Sequence, residues 1–245
     1  MLIALINEST LIDNADCNTM AEAIQVQLDL HVLPAWNMKS ATIKFYADKT
    51  TVPGYAWVVN MLDNSTQAGA LGYHSLDNDK VDAFVFAQPV LTAGGAILIF
   101  DPANPGQYTV SATLSHEICE MVGDRFANGF SLGPQISQGN LYAQELCDPV
   151  ENDSYGITIN GVQVSVSNFV FPAWFNSEAT DKNMPFDFLK KLTTSFSMDT
   201  GGYMIIATMS NEGQLTSRAK FGDAMPQWRR DMKMSEWSRV ARMKK

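Results

Sequence analysis

The run Ser115-His116-Glu117-Ile118-Cys119-Glu120-Met121-Val122-Gly123-Asp124 carries residue types at a spacing that can hold a divalent ion. In an α-helix each residue turns about 100°, so positions four apart lie about 40° apart on one face. His116 and Glu120 can therefore converge on one ion, as the two histidines of an HExxH helix do. Glu117 is rotated by about 100° from His116, which places it to act as a general base on water at the ion. Asp124 falls about 80° from His116 and would extend the acidic face. This is the constellation of a helix-borne site of metallopeptidase type. Glutamate stands where a second histidine is common, so the donors are harder than those of a typical catalytic zinc site. Zinc is the first expectation; calcium, magnesium or manganese would also suit an oxygen-rich set. The alternative is a helix with solvated acids and a capping histidine. Negative charge does favour a helix start, but these acids sit well past the first turn.

A second group of acids, Glu145, Asp148 and Glu151, lies in AQELCDPVEND. A spacing of three puts them on no single strand face, but a turn at Asp148-Pro149 would fold them inward. Asp148 is the first candidate for the remaining protein ligand, and Glu151 the next. The alternative is a solvated loop. Cys147 is a thiolate candidate or a small buried hydrophobe, and Cys119 is read as core. His74, in GYHSLDNDK, is expected on a loop beside Asp77 and Asp79, where it either lines the cleft as an electrophile or extra ligand or is neither. His31 is expected to pack at a helix end. No GxSxG elbow or Walker sequence occurs, and the glycine pairs at 94–95 and 201–202 read as turns.

These residues need elements to position them. LIALI (2–6) reads as a strand, and Asn18-Thr19 open a helix with apolar residues at Met20, Ala23, Ile24, Val26 or Leu28, and Leu30, ended by Pro34. ATIKFYA (41–47), YAWVVNML (55–62), VDAFVFAQPV (81–90) and AILIF (96–100) read as strands. GYHSLDNDK (72–80) reads as a loop. After the breaker DPANPG, the helix QYTVSATLSHEICEMVGD would bury Val110, Leu114, Ile118 and Met121. A polar stretch (126–144) follows, then a hairpin over 155–171 turning at Asn160-Gly161. GGYMIIATM (201–209) is a late strand, followed by the turn NEG (211–213). The fold class expected is α+β: a zincin-like mixed sheet with an active-site-type helix, plus a basic C-terminal tail. The domain reading is a metal-binding body over 1–215 and a basic arm over 216–245.

Composition narrows the class. Hydrophobic residues make up 46% and charged residues 18% of the 245, an ordinary globular balance. Three cysteines without a CxxC pair argue against a disulfide scaffold and a zinc ribbon. No basic n-region precedes the short apolar start, and no apolar run approaches the roughly 20 residues that span a bilayer. A soluble protein, in a virion or the host cytoplasm, is expected. The net charge of −9 is uneven: residues 216–245 hold nine Lys/Arg against three Asp/Glu, a net +6, leaving −15 on the rest. Such an arm suits docking to other proteins of an assembly, or is a solvated terminal helix. Nucleic acid is a weaker partner, because the acidic body would oppose it.

The motifs resemble those of a zincin-like family of bacteria, phages and prophages. Its members carry an SHExxE helix, a downstream CDPxE segment and a hairpin of the form NGVxVSxFxxPx(W/Y)F. Here these correspond to Ser115-His116-Glu117 with Glu120, to Cys147-Asp148-Pro149-Val150-Glu151, and to Asn160-Gly161-Val162-Gln163-Val164-Ser165 with Phe169, Pro172 and Trp174-Phe175. Gln25-Val26-Gln27 with Pro34-Ala35-Trp36, and Gly72-Tyr73-His74, are similar to its upstream motifs. The likeness spans roughly residues 20–175. It implies a zincin-like fold, but no established activity, so no catalytic role is carried over. Gly123-Asp124-Arg125 departs from the family's xDP, which leaves the helix end open. Two functions follow as expectations. One is a phage or prophage virion-associated structural protein whose metal only stiffens it. The other is a metal-dependent hydrolase, a peptidase, using Glu117 as general base on an ion held by His116, Glu120 and Asp148. A binding module with an inactive site is a third.

Overall fold

A computed structural model describes residues 1–66, 70–77, 80–134, 139–179, 185–209 and 215–233. The chain forms two compact units. Unit 1 contains Met1–Thr66, Ala70–Ala127 and Asp153–Ser167; unit 2 contains the described residues of Asn128–Asn152 and Asn168–Lys245. Helices combined with mixed and antiparallel sheets make the architecture α+β, as expected. No helix among the described residues is long and apolar enough to cross a membrane. All three cysteines are buried, and none is in a disulfide.

Unit 1 is built on a five-stranded mixed sheet of strands β1 (Leu2–Asn7), β2 (Thr42–Tyr46), β3 (Trp57–Leu62), β4 (Gly72–Asp77) and β5 (Lys80–Phe86). Their order is β2-β1-β3-β5-β4. β1 runs parallel to β2 and β3, β3 runs parallel to β5, and β4 returns antiparallel along β5 as an edge strand. The unbroken apolar run Ile3-Ala4-Leu5-Ile6 of β1 is buried throughout, as an interior parallel strand requires.

Helix α1 (Asn14–Gln27) makes the crossover from β1 to β2. It starts four residues before the expected Asn18, because Asp13 caps it by accepting from the Asp16 N–H at 2.7 Å. A π-helical turn over Leu28–Val32 follows, and then α2 (Leu33–Ala35), which includes Pro34. The wider turn rotates the apolar face. Leu30, expected in the buried stripe, is therefore 67% exposed while Val32 and Leu33 are buried.

Two apolar segments expected as strands are strands only in part or not at all. VDAFVFAQPV forms β5 up to Phe86 as expected, and from Ala87 the chain turns into helix α3 (Ala87–Thr92). Residues 96–100 make only single bridges, Ala96 to Thr109 and Ile99 to Val164. Helix α4 (Val110–Gly123) is capped by Thr109, whose hydroxyl accepts from the Ala112 N–H at 3.0 Å. Val110, Leu114, Ile118 and Met121 are all fully buried, the stripe the spacing predicted. Strands β8 (Ser154–Ile159) and β9 (Val162–Ser167) form the expected hairpin, with Ile159 paired to Val162 across Asn160-Gly161. Both turn residues have positive φ, 50° and 85°, the conformation that favours Asn-Gly in a two-residue turn. α4 packs on β4, β5 and β9, while α1 packs on β1, β2, β8 and β9.

Unit 2 holds a four-stranded antiparallel sheet in the order β11-β10-β7-β6, formed by β6 (Phe130–Leu132), β7 (Asn140–Ala143), β10 (Tyr203–Met209) and β11 (Leu215–Phe221). Thus 126–144, read as a polar connection, contributes two short strands. Alternation along β10 serves two clusters. Met204 and Ile206 pack with Trp174, Phe186 and Phe196, whereas Tyr203 and Ile205 pack with Met225. The expected boundary at 215/216 falls inside β11, which pairs with β10 along its whole length. The described part of the basic arm thus supplies a sheet strand and helix α5 (Gln227–Lys233). The NEG turn and residues 234–245 lie outside the described residues.

Candidate metal centre

The centre of unit 1 is set by the two faces of α4. On one face Ser111, Ser115 and Cys119 recur every fourth residue, and all three are fully buried. The Ser115 hydroxyl donates to the Gln27 side-chain oxygen at 2.6 Å and accepts from the Ser167 N–H at 3.0 Å. Gln27 closes the triangle by donating to the Ser167 carbonyl at 2.8 Å. Ser111 donates to the Ser165 carbonyl at 2.7 Å. Hydroxyls on a helix face otherwise weaken a core, but here each meets a buried backbone or amide partner. They fix the rotation of α4 against α1 and β9.

That rotation turns His116, Glu117 and Glu120 toward β4. His116 Nε2 lies 3.1 Å from Glu120 Oε1, so the helical pair expected to converge does so. His74 meets them from β4: its Nδ1 is 3.4 Å from Glu117 Oε2 and 3.6 Å from Glu120 Oε2. The four side chains are buried, with His74, His116, Glu117 and Glu120 at 3%, 7%, 5% and 3% exposure. Gly72, two residues before His74 and on the same strand face, leaves the space Glu117 occupies. A Cβ there would stand 2.8 Å from Glu117 Oε1 and 2.9 Å from its Cγ. On the opposite face Tyr73 packs at a tilt against Phe84 and Phe86, with ring centroids 5.0 and 6.0 Å away, which keeps His74 turned toward α4.

His74 therefore sits on an edge strand at the heart of the cluster, and not on the expected loop. The signal was the alternation Gly72-Tyr73-His74, masked by the turn-rich DNDK beyond it. Asp124 caps the end of α4, with its N–H bonded to the Glu120 carbonyl at 2.7 Å. Its backbone has left the helix (φ −136°, ψ 72°), so the helical projection from His116 stops one residue short of it. Asp148 and Glu151 belong to unit 2. Asp148 opens a 3-10 turn over Asp148–Val150 and is buried, and Glu151 pairs with Arg229 of α5. Glu145 and Cys147 are also buried there. His31, at the π-turn, packs as expected: its Nδ1 is 2.8 Å from the Tyr155 hydroxyl, and burial lowers its pKa.

No protein-family model matches this chain, and neither curated proteins nor solved structures give a match. Its chemistry rests on the residues themselves. Buried histidine, glutamate and cysteine groups of the chain can hold a metal ion. The donor spacing in unit 1 provides a fit test. Bonds of 2.0–2.1 Å at the tetrahedral angle put zinc ligands about 3.3 Å apart. The 3.1 Å between His116 and Glu120 is close to that value. Calcium, with bonds near 2.4 Å, would accept a similar spacing but prefers oxygen donors throughout. An imidazole in the pair favours zinc or another transition ion.

Proposed function

We propose that the chain is a zincin-like metalloprotein and that α4 carries a hydrolytic metal centre. The observation that carries this reading is the cluster of His74, His116, Glu117 and Glu120, four buried side chains facing one another across 3.1–3.6 Å. Buried carboxylates need a compensating charge, and a divalent ion supplies it. His116 and Glu120 would hold the ion, zinc first among the choices. When bound, it would supply Lewis-acid polarisation and lower the pKa of water. Glu117 is the carboxylate the ion does not require. It is positioned beside the ligand pair as a general base, and a peptide bond is the substrate class that suits such a pair. The mixed sheet in front of an SHExxE helix supports the same reading.

A second reading has support from burial. With none of the four residues more than 7% exposed, a closed ion that only stiffens the fold fits a virion-associated structural protein. Such a protein would dock through basic residues of 216–245 other than the buried Arg229, such as the exposed Arg218 and Lys220. The test that separates the two is Glu117→Gln in zinc-loaded protein offered a mixed peptide library. Unchanged zinc content with cleavage lost supports the hydrolase. Absence of cleavage in the parent protein, with zinc still raising the melting temperature, supports the structural ion.

A further inference from the structure

We infer that His74 is the positioning residue of this centre, its Nδ1–H holding the two glutamates of α4 in different roles. The inference rests on the metal-centre reading above and deepens it. Glu120 divides its oxygens: Oε1 faces His116 Nε2 at 3.1 Å, and Oε2 faces His74 Nδ1 at 3.6 Å. The same Nδ1 faces Glu117 Oε2 at 3.4 Å. One ring nitrogen thus addresses one oxygen of each carboxylate, on the side of Glu120 turned away from its partner ligand.

An ion seated between His116 and Glu120 Oε1 leaves Oε2 as the oxygen that an outer hydrogen-bond donor orients. Such outer donors are a regular part of metal sites. At 3.4 and 3.6 Å the two contacts are ion-pair separations and not yet hydrogen bonds, and filling the site is what would draw the Nδ1–H onto its acceptors. Glu120 would then offer an ion Oε1 alone, and Glu117 would be kept as an anion beside the ligand pair.

The strand makes the donor a fixed one. β4 is paired with β5 from Gly72 to Asp77, with His74 opposite Ala83. Tyr73 is anchored on the far face, and Gly72 admits Glu117 to the near one. A loop histidine could follow its partner; a strand histidine sets where the partner goes.

The experiment compares zinc affinity by chelator competition in the full chain and in His74→Ala, His74→Asn, His74→Gln and His116→Ala. The asparagine amide nitrogen stands near the Nδ1 position and donates, but it is a poor zinc ligand. The glutamine amide has similar polarity but places its donor near Nε2. The expected result is a weakening of about 10–100-fold in His74→Ala, most of it restored in His74→Asn but not in His74→Gln. The cobalt-substituted spectrum should return with the asparagine variant, which a role in stability alone would not produce. Should His74→Ala fail to fold, the Asn and Gln pair decides by itself. Equal loss in both, matching His116→Ala, would make His74 a ligand and overturn the inference; equal retention in both would make it idle and overturn it too. Wild-type affinity in His116→Ala would remove the centre itself, and the inference with it.

Discussion

Replacing Ser115 by alanine tests how the sequence aims its metal-binding helix. Ser115 is fully buried, and its hydroxyl is the joint between α4, α1 and β9. Alanine removes a 2.6 Å donation to Gln27 Oε1 and a 3.0 Å acceptance from the Ser167 N–H. What remains for Gln27 Oε1 is a Cys119 thiol at 3.8 Å, a weak donor. Each buried group left without a partner costs about 1–3 kcal/mol, so the loss should be about 2–4 kcal/mol. For a chain of this size each kcal/mol lowers the melting temperature by roughly 2–4 °C, giving a fall of about 5–15 °C. Thermal melts of metal-free protein by circular dichroism read it directly. In the double variant with Gln27→Leu the cost should be smaller than the sum of the singles, because both polar groups leave together. A fall below about 1 °C, or strict additivity, would refute the claim that this triangle sets the helix.

Three further outcomes are expected. Gly72→Ala places a methyl 2.8 Å from Glu117 Oε1 and should cost about 1–3 kcal/mol in urea unfolding; an unchanged midpoint would contradict the close approach. Arg229→Ala strips the guanidinium from the buried Glu151 pair in unit 2 and should cost about 3–5 kcal/mol, read as faster limited proteolysis around 215–233; no change would show that α5 contributes little. Burial holds His31 below its ordinary pKa, so the unfolded chain binds its proton first as the medium is acidified. Stability should therefore fall as pH drops below about 6.5 and level off under the folded-state pKa. His31→Gln should flatten that part of the pH profile, and an unaltered profile would count against the assignment.

What could be read from the chain in advance followed from local periodicity. The buried stripe of α4, the convergence of His116 with Glu120, and the Asn160-Gly161 hairpin are set by neighbours within one element. The failures came where pairing with distant residues decides. His74 lies in a short polar segment that becomes a strand because β5 accepts it, opposite Ala83. AILIF has strand composition, but only Ala96 and Ile99 within it find bridge partners. Leu30 follows the helical stripe on paper, yet the π-turn rotates it outward. Gln27 and Ser115 carried no chemical signature; only their burial against each other exposes a role. Glu151, grouped with Asp148 by sequence spacing, instead meets an arginine nearly 80 positions later.

Zinc titration of chelator-stripped protein, with the bound metal confirmed by elemental analysis, bears most directly on the metal centre. About one ion per chain is expected in the parent protein, with binding lost in the combined His116→Ala and Glu120→Gln variant. A parent protein that takes up no divalent ion, or a double variant that binds as the parent does, would contradict it.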